Sequence, residues 1–116
     1  MEEIRNYPTL PDTDGFFIES EDDETLDVFT KVYDNGNKIK RAVLPACGKT
    51  AVVRELLGKD TIEIKRFTGD NLDNYQMAAV TVATTVDGNR QPYEYYEVMK
   101  LKDYSRLAAM FQSLNF

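Results

Sequence analysis

Apolar residues follow two rhythms along the chain. In the C-terminal stretch, from Asp70 to Phe116, they recur at three- and four-residue steps. Leu72, Tyr75, Ala79, Val82, Ala83 and Val86 line one side of a helix, and Ala78 and Val80 widen that side, so the helix is expected to be buried on more than one face. Gly69 can end the element before it and Asp70 can cap its first turn. Asp87-Gly88 is read as its stop. Pro92 suits the first position of a second helix, with Glu94 near the positive end. A third helix carries Tyr104, Leu107, Ala108, Phe111 and Leu114 on one face. The expectation is a compact helical bundle against which the rest of the chain packs.

The first half has the shorter rhythm. Residues 27–33, 38–44 and 49–56 are rich in β-branched residues and read as an antiparallel meander of about three strands. Asn35-Gly36 is a strong hairpin signal, because a two-residue type I′ turn needs positive φ at both positions. Such a loop would set Val32 opposite Ile39, Val28 opposite Val43 and Lys31 opposite Lys40. Pro45-Ala46-Cys47-Gly48 forms the next turn. Residues 59–67 carry both signals: Ile62 and Ile64 alternate as in a strand, whereas Asp60 and Glu63 have the spacing of a helix cap. A short helix is the favoured reading. Strands followed by three to four short helices make this an α+β chain.

A single domain is expected over residues 27–116, preceded by an acidic, partly irregular arm over residues 1–26. Pro8, Pro11 and Gly15 break regular structure in that arm, and Phe16-Phe17-Ile18 is its apolar cluster, able to add a short edge strand or tuck two aromatics into the core. Net charge is −6 but unevenly spread. Glu19, Glu21, Asp22, Asp23, Glu24 and Asp27 crowd the arm, while Lys31 to Arg66 is basic. The arm is either a solvated extension or a strip that lies back on the basic sheet.

Charge and composition narrow the chemistry. An acidic chain disfavours nucleic-acid binding through a broad basic surface. No apolar run approaches the roughly 18 residues that span a bilayer. The N-terminus MEEIRNYPTL lacks the apolar core of a secretory signal, so a cytoplasmic protein is the default. Cys47 is the single cysteine and there is no histidine, which argues against a catalytic thiol, a serine triad or a zinc site. Gly48-Lys49-Thr50 matches the end of a phosphate-binding loop, but Val43 stands where its first glycine belongs. Asp12-Thr13-Asp14-Gly15 begins like a calcium loop, with Phe16 at a ligand position. Glu55, Asp60 and Glu63 are read as caps and solvated faces. No enzyme, metal or cofactor is expected.

The chemistry that remains is adhesive. Tyr93, Tyr95 and Tyr96 cannot all face one core from a short helix, and Met99, Met110 and Phe116 lie at the same end of the sequence. Met110 falls off the Tyr104 stripe and is expected to be exposed. These six residues are the candidate partner-binding set.

The order of short signatures over residues 38–116 resembles the tail assembly chaperones of long-tailed phages and prophages, of the Mu-like type. The signatures are Leu44-Pro45, Gly48-Lys49, Val53-Arg54-Glu55-Leu56, Gly58-Lys59-Asp60, Gly69-Asp70, Ala83-Thr84-Thr85-Val86-Asp87-Gly88, Tyr93-Glu94, Leu101-Lys102-Asp103-Tyr104 and the ending Phe111, Leu114-Asn115-Phe116. No one of them is specific; their shared order carries the likeness. The acidic arm is not part of that pattern. The resemblance implies a non-enzymatic protein of the host bacterial cytoplasm that binds the tape-measure protein, with the tail-tube protein as a possible further partner. It would keep the tape-measure protein soluble during tail-tube assembly and be absent from the mature virion. An exposed apolar patch also implies a homo-oligomer when the client is missing. The competing reading is a structural adaptor retained in a phage or cellular complex.

Overall fold

The computed structural model describes residues 15–69 and 72–116. Its fold is α+β: five antiparallel strands in sequence order, with helices packed on one face. The strands are β1 (Phe29–Val32), β2 (Lys38–Val43), β3 (Thr50–Arg54), β4 (Thr84–Val86) and β5 (Asn89–Arg90). The helices are α1 (Glu21–Leu26), α2 (Asp60–Thr68), α3 (Tyr75–Ala83), α4 (Tyr93–Glu97) and α5 (Leu101–Asn115), with a single 3-10 turn at Leu72–Asn74 before α3.

The sheet is larger than the three-strand expectation because the helix read through to Val86 ends at Ala83. Thr84-Thr85-Val86 pairs with β3, and Asp87 (φ 51°) and Gly88 (φ 86°) both take positive φ. Asp87-Gly88 is therefore the two-residue turn of a second hairpin, with Val86 opposite Asn89, and not a helix stop. Six consecutive residues of α3, Ala78 to Ala83, are buried, as a helix wedged between sheet and neighbouring helices requires. Tyr75, expected on the buried stripe, is exposed. The cap assigned to Asp70 falls outside the described residues. Gly69 does end α2, at φ 57°.

The first hairpin is shifted by one residue from expectation. The Tyr33 amide donates to the Asn37 carbonyl (2.9 Å) and the Gly36 amide to the Tyr33 carbonyl (2.9 Å). The loop is thus the three residues Asp34-Asn35-Gly36, with Gly36 at φ 88° as the bulge position. Val32 consequently faces Lys38, and Lys40 faces Thr30 rather than Lys31. A one-residue shift changes which side chains face which partners, and here it removes the like-charge pair.

It also builds the central row of the inner face. Phe17, Thr30, Lys40, Val53 and Thr84 lie side by side across the sheet, all buried. A lysine in that row must be neutralised, and the acidic arm does it. The Lys40 ammonium, whose side chain is 2% exposed, lies 2.6 Å from Asp23 and 3.1 Å from Glu19. Glu19 also accepts from Lys38 at 2.5 Å. Ser20 caps α1 by accepting from the Asp23 amide (3.2 Å), which fixes Asp23 beneath the sheet. Phe16 and Phe17 are both buried, and Phe17 exchanges backbone hydrogen bonds with Thr30 (2.8 and 2.7 Å). Of the two readings of the arm, residues 15–26 follow the second: they lie against the basic strands.

Removing one member of a buried ion pair strands the other. Asp23→Ala should lower the free energy of unfolding by about 3 kcal/mol. Urea titration at pH 7 checks this; a loss within about 0.5 kcal/mol, as for an ordinary surface change, would mean that Lys40 finds water instead.

Burial alone would raise the Glu19 carboxyl, but hydrogen bonds from Lys38 and Lys40 and their charges leave it below its ordinary value of 4.5. A folded-state pKa below the unfolded one stabilises the fold above the unfolded value, and that contribution is lost as pH falls through the folded one. The urea midpoint of the wild type should therefore fall below about pH 4.5, and Glu19→Gln should show a shallower fall over the same window. Parallel acid profiles for the two proteins would refute the assignment.

Candidate partner-binding surface at the α4–α5 junction

The short helix α4 is positioned by its tyrosines. Pro92 stands just before it, at the cap rather than the first helical position, with ψ 160°. Tyr96 is buried in the core, and Tyr93 is half-buried against Phe67, with ring centroids 5.8 Å apart. Tyr95 points elsewhere, as its spacing implies. Its ring meets Tyr96 edge-on at 5.4 Å and lies 5.9 Å from the Lys49 ammonium. Burial, with a smaller contribution from Tyr95, pushes the Tyr96 hydroxyl up to about 12. Burial also raises Tyr93, with Glu97 adding to it, and raises Tyr104, with Tyr93 adding to it. These three phenols stay neutral near pH 7.

The junction itself is held by Asp103. Its carboxylate, buried in the first turn of α5, accepts from the Ala46 amide (2.7 Å) and the Cys47 amide (3.2 Å). This pins the β2–β3 turn against the start of α5. Beside the clasp lies a groove of about 330 Å³ lined by Ala46, Cys47, Tyr95, Val98, Met99, Lys100 and Asp103. At its mouth Val98 is 84% exposed, and Leu101 just beyond is 77% exposed.

The six residues expected to bind a partner do not form one patch. Tyr95 and Met99 line the groove. Tyr96 and Met110 are core residues, Met110 being 1% exposed, which corrects its expected exposure. In α5 the buried positions are Asp103, Leu107, Met110, Phe111 and Leu114, so the true stripe includes Met110 and leaves Tyr104 at its edge. Tyr93 packs on the α2 side. Phe116 is 88% exposed, its ring 6.1 Å from Phe111. Sequence reasoning misses Val98 and Leu101; two apolar residues flanking Met99-Lys100 at a break between helices are the signal that could have found them.

The carboxylates considered for chemistry are each engaged in a hydrogen bond or ion pair. Asp60 opens α2 without capping it: Arg54 grips its carboxylate with two bonds of 3.1 Å, and the Leu57 amide donates at 2.7 Å. The Arg54 bonds outweigh burial and hold Asp60 below its ordinary value. Glu55 accepts from the Lys38 amide (2.6 Å), and Glu63 pairs with Arg90 (2.7 Å). Among the described residues no group of three or more potential metal ligands converges. No helix among them is long and apolar enough to cross a membrane. No family model, characterised protein or solved structure matches the chain.

Asp103→Ala should leave both turn amides without their acceptor and cost about 2 kcal/mol. Hydrogen exchange checks this directly: the Ala46 and Cys47 amides should lose protection in the variant while the β3 amides keep theirs. Unchanged exchange at residues 46 and 47 would exclude the clasp.

Proposed function

We propose that this chain is a non-enzymatic tail assembly chaperone that binds the tape-measure protein and keeps it soluble while the tail tube assembles. The observation that carries the reading is the uncovered apolar junction, Val98 and Leu101 with Tyr95 and Met99 beside them, on a chain of net charge −6. Large apolar side chains exposed together on a charged body mark a protein-binding site. The sequence likeness over residues 38–116 supplies the identity of the client.

The client segment would be an apolar face of a tape-measure helix, laid across the α4–α5 junction. Tyr95 and Met99 suit such a contact, since the ring gives broad surface at low entropic cost and the thioether adapts to irregular shapes. The charged remainder of the surface keeps the complex dissolved. The site of action would be the host bacterial cytoplasm, and the protein would leave before the virion matures. Self-association through the same junction would precede client binding.

Co-expression with the tape-measure protein of the same phage tests the proposal. The client should become soluble and co-purify, and Val98→Glu should reduce recovery at least about tenfold, a loss of about 1.4 kcal/mol. Because Val98 is exposed, the thermal midpoint of this variant should match that of the wild type. A client that stays insoluble, together with this protein in purified particles, would establish the adaptor reading instead.

A further inference from the structure

A second groove lies on the other side of Lys100 and differs in character. It has a volume of about 630 Å³ and runs along α5 past Leu101, Lys102, Ser105, Arg106 and Ala109, with Leu26 as its opposite wall. Arg106 also lines an adjoining groove of about 610 Å³ that reaches Phe29, Arg41 and Val43 on the sheet. Together they form an apolar trough edged along α5 and the sheet by Lys100, Lys102, Arg106 and Arg41; among the described residues Asp27 lies in its lining, and Asp22 and Asp23 line a further groove beyond Leu26 and Ala109. On a chain of net charge −6 this is a local inversion of sign.

None of the four cations pairs with a described carboxylate. Arg106 donates to the Leu26 carbonyl (2.7 Å), and Arg41 lies over the Phe16 ring at 4.1 Å, so both are held in place without an ion pair to a described carboxylate. Lys100 and Lys102 flank the first residue of α5, the positive end of a 15-residue helix. Cations there oppose the helix dipole. Asp103, the acidic residue of that first turn, has both carboxylate oxygens committed to the Ala46 and Cys47 amides.

We infer that this trough is the docking site for an amphipathic helix of a partner chain whose apolar face is flanked by carboxylates. The apolar floor takes the hydrophobic face, and the basic rim pairs with the flanking acids and relieves the unfavourable charge at the start of α5. The occupant is helical because, among the described residues, no strand edge lines the α5 part of the trough to receive an extended backbone, whereas a helix arrives with its backbone bonds already made. From Leu101 to Ala109 the wall rises about 12 Å, a little over two helical turns. A second copy docking face to face is disfavoured, since it would bring the two basic rims together. The inference does not depend on the identity of the client.

The probes are two synthetic amphipathic peptides of about 18 residues with the same leucine face, one flanked by glutamates and one by lysines, a length of about five helical turns. Fluorescence anisotropy with the full chain should show the acidic peptide binding at least about tenfold tighter at low salt, against the sign of the protein's net charge, with the advantage shrinking as salt rises. Lys100→Glu/Lys102→Glu should reverse the preference, and Lys100→Gln/Lys102→Gln should abolish it should the double reversal fail to fold. Lys59→Glu/Lys65→Glu, at α2, should leave it unchanged. Equal binding of both peptides, binding of neither, or the same loss in the α2 variant would overturn the inference. So would sedimentation showing that Lys100→Glu/Lys102→Glu abolishes self-association while the acidic peptide fails to compete with it, since the occupant would then be a second copy.

Discussion

A lysine in the middle of a sheet's buried face sets the terms for the rest of this fold. Taking an ammonium out of water costs several kcal/mol unless carboxylates meet it at close range. The carboxylates that meet Lys40 are Glu19 and Asp23, both placed before the first strand. The acidic segment is therefore bound into the core. The Ser20 cap aims Asp23, the buried Phe16 and Phe17 hold the segment down, and α1 leads directly into β1 through Asp27 in the left-handed conformation. Any sequence that kept the lysine and lost the acids would have a sheet with a charge it could not shelter.

The same economy of polar contacts orients the helices. Arg54 and Asp60 tie β3 to the start of α2, Asp103 ties α5 to the β2–β3 turn, and the Asn115 side chain accepts from the Leu56 amide at 2.8 Å near the end of α5. With both ends of α5 fixed and its inner stripe buried, its outer surface and the junction with α4 stay open to solvent. Each clasp joins a helix end to a loop or strand, so the apolar face between them is displayed on a rigid frame.

Legibility of the fold in the sequence depends on whether local pattern and tertiary context agree. The first hairpin and α5 are readable as elements because turn chemistry or periodicity is unambiguous there, whereas α2 carries a strand-like alternation against its cap-like spacing and Asp60 does not in fact cap it. Thr84-Thr85-Val86 misleads because Val82, Ala83 and Val86 satisfy a helical period whether or not the last of them is a strand residue; the β-branched threonines and the Asp-Gly pair are the better guide. Asn35-Gly36 correctly announces a turn, but its length depends on an αL bulge that the dipeptide does not specify. Anchoring the α5 stripe on Tyr104 puts Met110 outside it, though Leu107, Met110, Phe111 and Leu114 fit the period better. Of the candidate surface, Tyr95 and Met99 are legible as aromatic and thioether groups at a helix break. Val98 and Leu101 are not, because an exposed aliphatic residue looks like a core residue until its neighbours are known.

The backbone exchange between Phe17 and Thr30 has a consequence for crowding. A sheet offers its unpaired margins to any passing strand, and a protein with adhesive surfaces is the more exposed to that accident. Here one margin is partly occupied by the chain's own Phe17, and the other ends in a strand of two residues whose Arg90 side chain is engaged with Glu63. Lateral growth by strand addition is therefore hindered at both sides.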